Sequence, residues 1–425
     1  MQPGGGLLLL KAREGRVPTM RVPSLDNSGR IHEKHLPPRL APDGLSGTLR
    51  ERDRTLTRTF NVLDYGAVPD GVTDSAPAIN AAILAAHDAG GGVVMVPAGS
   101  YAVHSSIGRN GGYIRQVAVR GSGPRGVRWN YGDGALDPEG NPWVAGTYIR
   151  ATANVPVIGG MWENCEISSL ALDADMRGSA AVNAHFSKTT FKENELVGWS
   201  GFGMLLNSGA LTDDLGFLNR IIDNNISDTG EENGVGLQLE YRCIDSWIER
   251  NNIEAYGPDI QVNSGGPFRI LNNHLNGNRS PLHNILINGG VRECLIHGNI
   301  LEGSRQEAIK YTAPGWLSDP ERTSIAVTSN IIRQATQEGG KPVFGFYGAT
   351  GNAGFYALGL TVVGNVISTD YAPTHVMELS KFKDVSAMGN YWRHAHNSSL
   401  APVRALNCTG VQVVGNHGDN AVITS

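Results

Sequence analysis

Long apolar runs, cysteine and charge are all scarce in this 425-residue sequence, and each shortage excludes a class of protein. Near the start, the apolar run Leu7–Leu10 is too short for the core of a secretory signal. No later stretch approaches the ~20 apolar residues of a membrane-spanning helix. The sequence therefore reads as having no signal peptide and no membrane insertion. The four cysteines, Cys165, Cys243, Cys294 and Cys408, show neither a C-x-x-C pair nor metal-ligand spacing. They read as small buried thiols, with no disulfide framework, metal or cofactor expected. Charged residues make up 18% of the chain and sum to -5, which leaves no basic stripe for nucleic acid. So low a charge content also argues against a coiled coil or wholesale disorder.

What the sequence has instead is glycine, 55 residues of it, and asparagine at regular places. The pattern apolar-x-x-Asn-x-apolar recurs at Asn194, Asn224, Asn251, Asn273, Asn299, Asn330, Asn365, Asn390 and Asn416, spaced by 30, 27, 22, 26, 31, 35, 25 and 26 residues. Apolar residues alternate around each Asn with period two, as from Ile221 to Ile226, which suits short strands and not a 3.6-residue helix. An internal repeat of this length, with three short strands per period, describes the coils of a parallel β-solenoid. Asn at the same corner of every coil can bond its amide to the Asn above and below, satisfying buried amides along a ladder. A solenoid grows along one axis, so the chain length forces no second domain. The competing architectures, an antiparallel sandwich or a propeller, leave the Asn spacing accidental.

Residues 1–59 are Pro-rich and charged, without sustained periodicity, and cannot bury a core alone. They read as an extended N-terminal attachment or linker arm. At Phe60 the pattern changes. Asp74 is placed to cap a helix from Ser75 to His87, Pro77 sits in its first turn, and Gly90 to Gly92 ends it. Val93–Val96 and Tyr101–Val103 read as strands around a Pro97-Ala98-Gly99 turn. A helix there covers the open end of the first coil, which otherwise exposes unpaired strand edges. Three segments follow: the arm at 1–59, a leading segment with a capping helix at 60–103, and coils at 104–425.

The run Asp64-Tyr65-Gly66-Ala67, Asp70-Gly71, Asp74-Ser75, Ala78-Ile79, Ala82-Ile83 and Val96-Pro97-x-Gly99-x-Tyr101 resembles the start of the pectate-lyase-like right-handed parallel β-helix superfamily. The resemblance implies an all-β fold, a right-handed parallel β-helix with an N-terminal capping helix. The superfamily holds lyases, hydrolases, epimerases and proteins that only bind, so it leaves the chemistry open. Earlier, Leu25-Asp26-Asn27-Ser28-Gly29-Arg30-Ile31 with His35-Leu36-Pro37 resembles the linker of many phage tail-fibre and tailspike proteins. That second resemblance implies a virion tail protein acting outside the cell. It would be a homotrimer attached to other tail proteins through residues 1–59, and it would bind a host cell-surface polysaccharide. Depolymerase activity, as a glycoside hydrolase or lyase, is a hypothesis that can coexist with binding. The alternative is a stand-alone polysaccharide lyase, glycoside hydrolase or epimerase.

Aligning VNAHF, FGMLLN, VGLQLE, IQVN, ILIN and IKYT as one strand of successive coils gives two outward columns. One reads His185, Asn207, Glu240, Asn263, Asn288, Thr312; the other reads Asn183, Leu205, Gln238, Gln261, Leu286, Lys310. Glu240 is the only carboxylate in them, flanked by amides suited to sugar hydroxyls. A glycosidase needs a second carboxyl roughly 5 to 9.5 Å away, for which Asp213, Asp214 and Asp245 are the candidates. A lyase instead wants a base such as Lys310, Arg242 or His185. The glycan-binding candidates are thus His185, Asn207, Gln238, Gln261, Asn263, Asn288 and Lys310. Trp129 and Trp143, in a loop with Tyr131, are candidate stacking faces. Asp173 and Asp175 form an Asp-x-Asp that could hold a cation, but in this repeat they read as turn caps. Specificity is expected in the inserted loops at Leu211–Phe217, Trp316–Arg322 and Tyr347–Phe355.

Overall fold

The chain divides into two units, residues 1–58 and 59–425. The computed structural model describes residues 58–109, 111–123, 146–206, 215–227, 234–240, 243–276, 280–291, 293–313, 324–333, 340–348, 357–369, 373, 375–394, 403–417 and 422–424. Residues 1–57 of the N-terminal arm, the loop with Trp129, Tyr131 and Trp143, most of the three inserted loops, and Asn207, Asp213, Asp214 and Arg242 lie outside the described residues, while Thr59, assigned to the arm by the sequence, opens the strand Thr59–Asn61.

Each coil is built from three short strands. In one coil Thr190–Lys192, Glu195–Val197 and Phe202–Leu206 each join a different sheet. Among the described residues the three sheets hold 13, 12 and 12 strands, ordered coil after coil. Period-two alternation turns alternate side chains of the first-sheet strands into the core. Ile167, Phe191, Ile221, Ile248, Ile270, Ile296, Val327 and Val362 pair in succession as one buried column. Each such side chain contributes on the order of 1.5–3 kcal/mol by leaving water. The fold is a parallel β-helix, as the repeat implies.

The corner between the first and second sheets repeats its chemistry on every coil. A residue with positive φ precedes each ladder Asn, from Glu193 (55°) through Arg250 (53°) to Gly415 (62°). This sharp left-handed turn aims the Asn side chain inward, where all nine are buried. At Asn299 both the backbone N–H and Nδ2 reach Oδ1 of Asn330 at 2.9 Å, and Nδ2 also donates to the Ile270 carbonyl at 2.9 Å. The same links run unbroken from Asn194 to Asn416.

The capping helix spans Ala76–Asp88, and its apolar face of Ala76, Ile79, Ile83 and Ala86 packs over Thr59–Asn61, the terminal strand of the first sheet. Its cap differs from the sequence reading. Ser75 holds the cap position without a side-chain bond to the helix, its hydroxyl bonding Val68 instead, while Asp74 Oδ1 accepts the N–H of Ala76 at 3.1 Å and of His104 at 3.0 Å. Asp74 closes the strand Asp70–Asp74, so its carboxylate ties the helix start to the next coil as well as capping it. Cys165, Cys243 and Cys294 are free and buried, and Cys408 is free and partly exposed. Among the described residues no helix is long and apolar enough to cross a membrane.

Candidate functional site

Strand pleating sends alternate side chains of the third sheet outward, and the pairing register stacks them along the solenoid axis. Asn183, Leu205, Gln238, Gln261, Leu286 and Lys310 pair in succession as one column. Asn263, Asn288 and Thr312 do the same in the other. Carried on by two coils, the columns reach Gly345 and Tyr347, then Glu378 and Ser380. Glu240 directly follows the strand Val235–Leu239 and remains in the ladder, its N–H on the Leu206 carbonyl at 3.0 Å.

Around Glu240 the stacking produces a hydrogen-bonded row. Gln238 Nε2 donates to Glu240 Oε1 at 2.5 Å, and Asn263 Nδ2 donates to the same oxygen at 3.4 Å. Gln261 Nε2 in turn donates to Asn263 Oδ1 at 3.0 Å. One carboxylate therefore orients amides from two adjacent coils, through bonds strengthened by its charge. Each amide keeps further donor or acceptor capacity, and the partly exposed Asn288 extends the row by one coil. Such a strip of fixed donors and acceptors matches a hydroxyl-rich ligand.

Two candidates stand elsewhere than the sequence implied. His185 points outward in register yet is 1% exposed, because Tyr113 covers it. The Tyr113 hydroxyl lies 3.2 Å from His185 Nε2, and the rings meet edge to face at 5.7 Å. Asp245 occupies a left-handed corner (φ 49°) that turns the chain into Ser246–Glu249, a first-sheet strand, so it belongs to neither outward column. Asp173 accepts the Asp175 N–H at 2.7 Å, the turn role expected, and also the Tyr148 hydroxyl. Among the described residues no group of three His, Cys, Asp or Glu is arranged to hold a metal ion.

At Lys310 the face becomes charged. Its Nζ lies 3.8 Å from Oε2 of the buried Glu307, whose Oε1 accepts the Tyr347 hydroxyl at 3.1 Å. His283 Nδ1 is 2.9 Å from the Glu307 carbonyl, and since a carbonyl only accepts, that nitrogen carries the proton. Burial pulls the His283 pKa down, and this outweighs the contact with Glu307, so the ring is held neutral. Burial, then the charges of Glu307 and Glu378, push Tyr347 well above the ordinary phenol range and keep its hydroxyl protonated.

Sequence reasoning missed Glu307 and His283, and took Tyr347 for the first residue of an inserted loop, whereas it ends the third-sheet strand Phe344–Tyr347. Glu307 and His283 precede their strands, at corner positions that no column contains. Tyr347 was within reach, since FGFY continues the alignment that stopped at IKYT. Also missed was Glu195 on the second sheet, which burial and the neighbouring Asp173 push up to about 7. No pattern distinguishes it from an ordinary strand carboxylate.

Comparison with known proteins adds to this geometry. Residues 59–117 match the family described as Rhamnogalacturonase A/epimerase, pectate lyase-like. Over 44 residues the chain is 61% identical to the mannuronan C5-epimerase AlgE1 of Azotobacter vinelandii, a match covering 10% of this chain and 3% of that protein. It is 41% identical over 90 residues to rhamnogalacturonase A of Emericella nidulans, covering 20% of this chain and 17% of that one. The chain thus spans only a small part of these relatives, both named as polysaccharide-acting enzymes. In structure it is similar to PfbA, a surface adhesin of Streptococcus pneumoniae, over 84% of this chain and 89% of that one, with a TM-score of 0.55 and 15% identity. At that identity the likeness shows the fold alone.

Proposed function

We propose that this chain, a parallel β-helix whose residues 59–117 match a pectate-lyase-like family, binds a cell-surface polysaccharide along the outward face of its third sheet and depolymerises it. The observation that carries this reading is the row Gln238, Glu240, Gln261 and Asn263, a carboxylate holding amides in fixed directions across adjacent coils. The sequence relatives support the substrate class, since their names place them on polysaccharides. Incubation with envelope polysaccharide, followed by chromatography of released oligosaccharides, tests it. Glu240→Gln is expected to cut release at least ten-fold. Release unchanged by that substitution removes Glu240 from the site, and retention of the glycan without any release leaves a binder alone.

The setting we propose is a phage tail, with residues 1–59 as the arm that joins other tail proteins and with three copies side by side. The linker-like phrase from Leu25 to Pro37 supports the arm. Exposed Ile331, Val366 and Tyr391, paired in succession on the second sheet, make an apolar row parallel to the axis that supports lateral association. Light scattering on the intact chain is expected to give three times the monomer mass, and a monomer rules the trimer out. A stand-alone glycan-modifying enzyme is the second reading, favoured by the match of residues 59–117 to enzymes. Immunogold labelling of purified phage particles separates the two, because only a tail protein decorates the particle.

A further inference from the structure

We propose that Lys310, Tyr347 and Glu378 form a second saccharide subsite, seating the hydroxyl groups of a neutral sugar unit three to five coils beyond Glu240; this rests on the polysaccharide reading above. Gly345 stands in the column between Lys310 and Glu378. A Cβ at Gly345 would lie 2.8 Å from the Tyr347 ring, closer than real Cβ atoms come. The missing side chain is therefore the seat of that ring, which lies over Gly345 and carries its hydroxyl to Glu307. Beneath it Glu307 is buried with Oε2 making no hydrogen bond, 3.5 Å from His283 Nδ1 and 3.8 Å from Lys310 Nζ. The buried Glu307 carboxylate thus gathers Tyr347, His283 and Lys310 around it and fixes the Tyr347 hydroxyl from beneath the row.

The ligand class follows from the charges. Lys310 is matched by Glu307, and Glu378 by Arg404 at 3.5 Å, with His375 Nδ1 at 3.9 Å. No cation in these pairs is left over for an anionic sugar. Paired charges with spare donors and acceptors instead suit hydroxyl groups, which give and accept at once. At about 4.8 Å per coil the second subsite begins ~14 Å from Glu240 along the axis and extends to ~24 Å. A glycan that reaches both gains the second contact as an intramolecular step, so its affinity rises without new chemistry at the first.

The test uses a polysaccharide retained by the intact protein on a printed glycan array, fragmented by mild acid and size-fractionated. Wild-type affinity, measured by calorimetry, is expected to step up at least ten-fold once fragments are long enough to span both subsites. Tyr347→Phe, which keeps the ring, and Gly345→Ala, which displaces it, are expected to flatten that step, with melting curves confirming that each variant folds. A smooth length dependence in the wild type, or a step that survives both substitutions, overturns the subsite while leaving the glycan reading intact. If the wild type retains no polysaccharide, the glycan reading fails and the subsite fails with it.

Discussion

The Asn corner and the third-sheet face are both rows of polar side chains stacked coil on coil, yet they follow opposite rules. At the corner one residue type recurs, and each amide spends its bonds on the backbone and on the next Asn. On the face the register is kept while the residue changes, from Gln238 to Gln261, Leu286, Lys310, Gly345 and Glu378. Repetition of chemistry closes a row on itself and leaves nothing for a ligand. Variation at fixed register leaves bonding capacity open to solvent, and a binding surface needs that capacity. Ladder substitutions should therefore damage stability before recognition, and face substitutions the reverse.

The largest effect is expected from Asn299→Ala. It removes the acceptor used by the Asn273 N–H and Nδ2, and the donor to Ile270 O and Asn330 Oδ1. Each buried group left without a partner costs about 1–3 kcal/mol, so equilibrium urea unfolding should show a loss of roughly 3–5 kcal/mol, summed from those orphaned groups. A loss below about 1 kcal/mol, the net worth of one ordinary hydrogen bond, would mean the ladder decorates the corner without holding it.

Next in size is Glu195, which directly follows ladder Asn194 and is buried beside Asp173. Its folded pKa of about 7 lies above the ordinary carboxylate value of ~4.3. The fold therefore favours the neutral acid. Its contribution is fully present below the ordinary value and is lost progressively as pH rises from there through about 7. Glu195→Gln keeps a neutral amide at every pH. Thermal melts should put the two proteins close together at acidic pH and the variant ahead at alkaline pH, by on the order of 3 kcal/mol. A difference that does not change with pH means that Glu195 is already ionised in the fold.

The same contrast explains how much of the molecule the linear sequence carries. The ladder was legible to the residue, because its partners repeat and a period survives insertions of uneven length. The outward columns were legible too, since pleating fixes which residues of VGLQLE and IQVN share a face. What escaped was everything that depends on neighbours a period cannot name. His185 is outward by register but lies beneath Tyr113, whose strand pairs with Met161 on the coil between them. Glu307 comes from a corner to bond the face residue Tyr347 from beneath, and Tyr347 lies where it does because Gly345 has no side chain. Burial and long-range contact decide such positions, and a linear pattern carries neither.

The smaller effects sharpen the contrast further. Glu240→Gln keeps shape and the Oε1 acceptor that Gln238 and Asn263 use, so its melting temperature should stay near wild type while glycan affinity falls at least ten-fold, about 1.4 kcal/mol. Equal losses of stability and affinity would make Glu240 a structural residue like those of the ladder. The smallest change is expected at Arg250, on the solvent side of the same corner. It forks onto Asp223 at 2.7 and 2.8 Å, and both side chains are substantially exposed. Arg250→Lys gives up the planar two-point contact, but exposed pairs contribute only about 0–1 kcal/mol because water and salt screen them. Urea midpoints should shift by no more than about 0.5 kcal/mol equivalent, and less at high salt. If Arg250→Lys cost as much as Asn299→Ala, the corner would be held by its surface ion pairs and not by its buried amides.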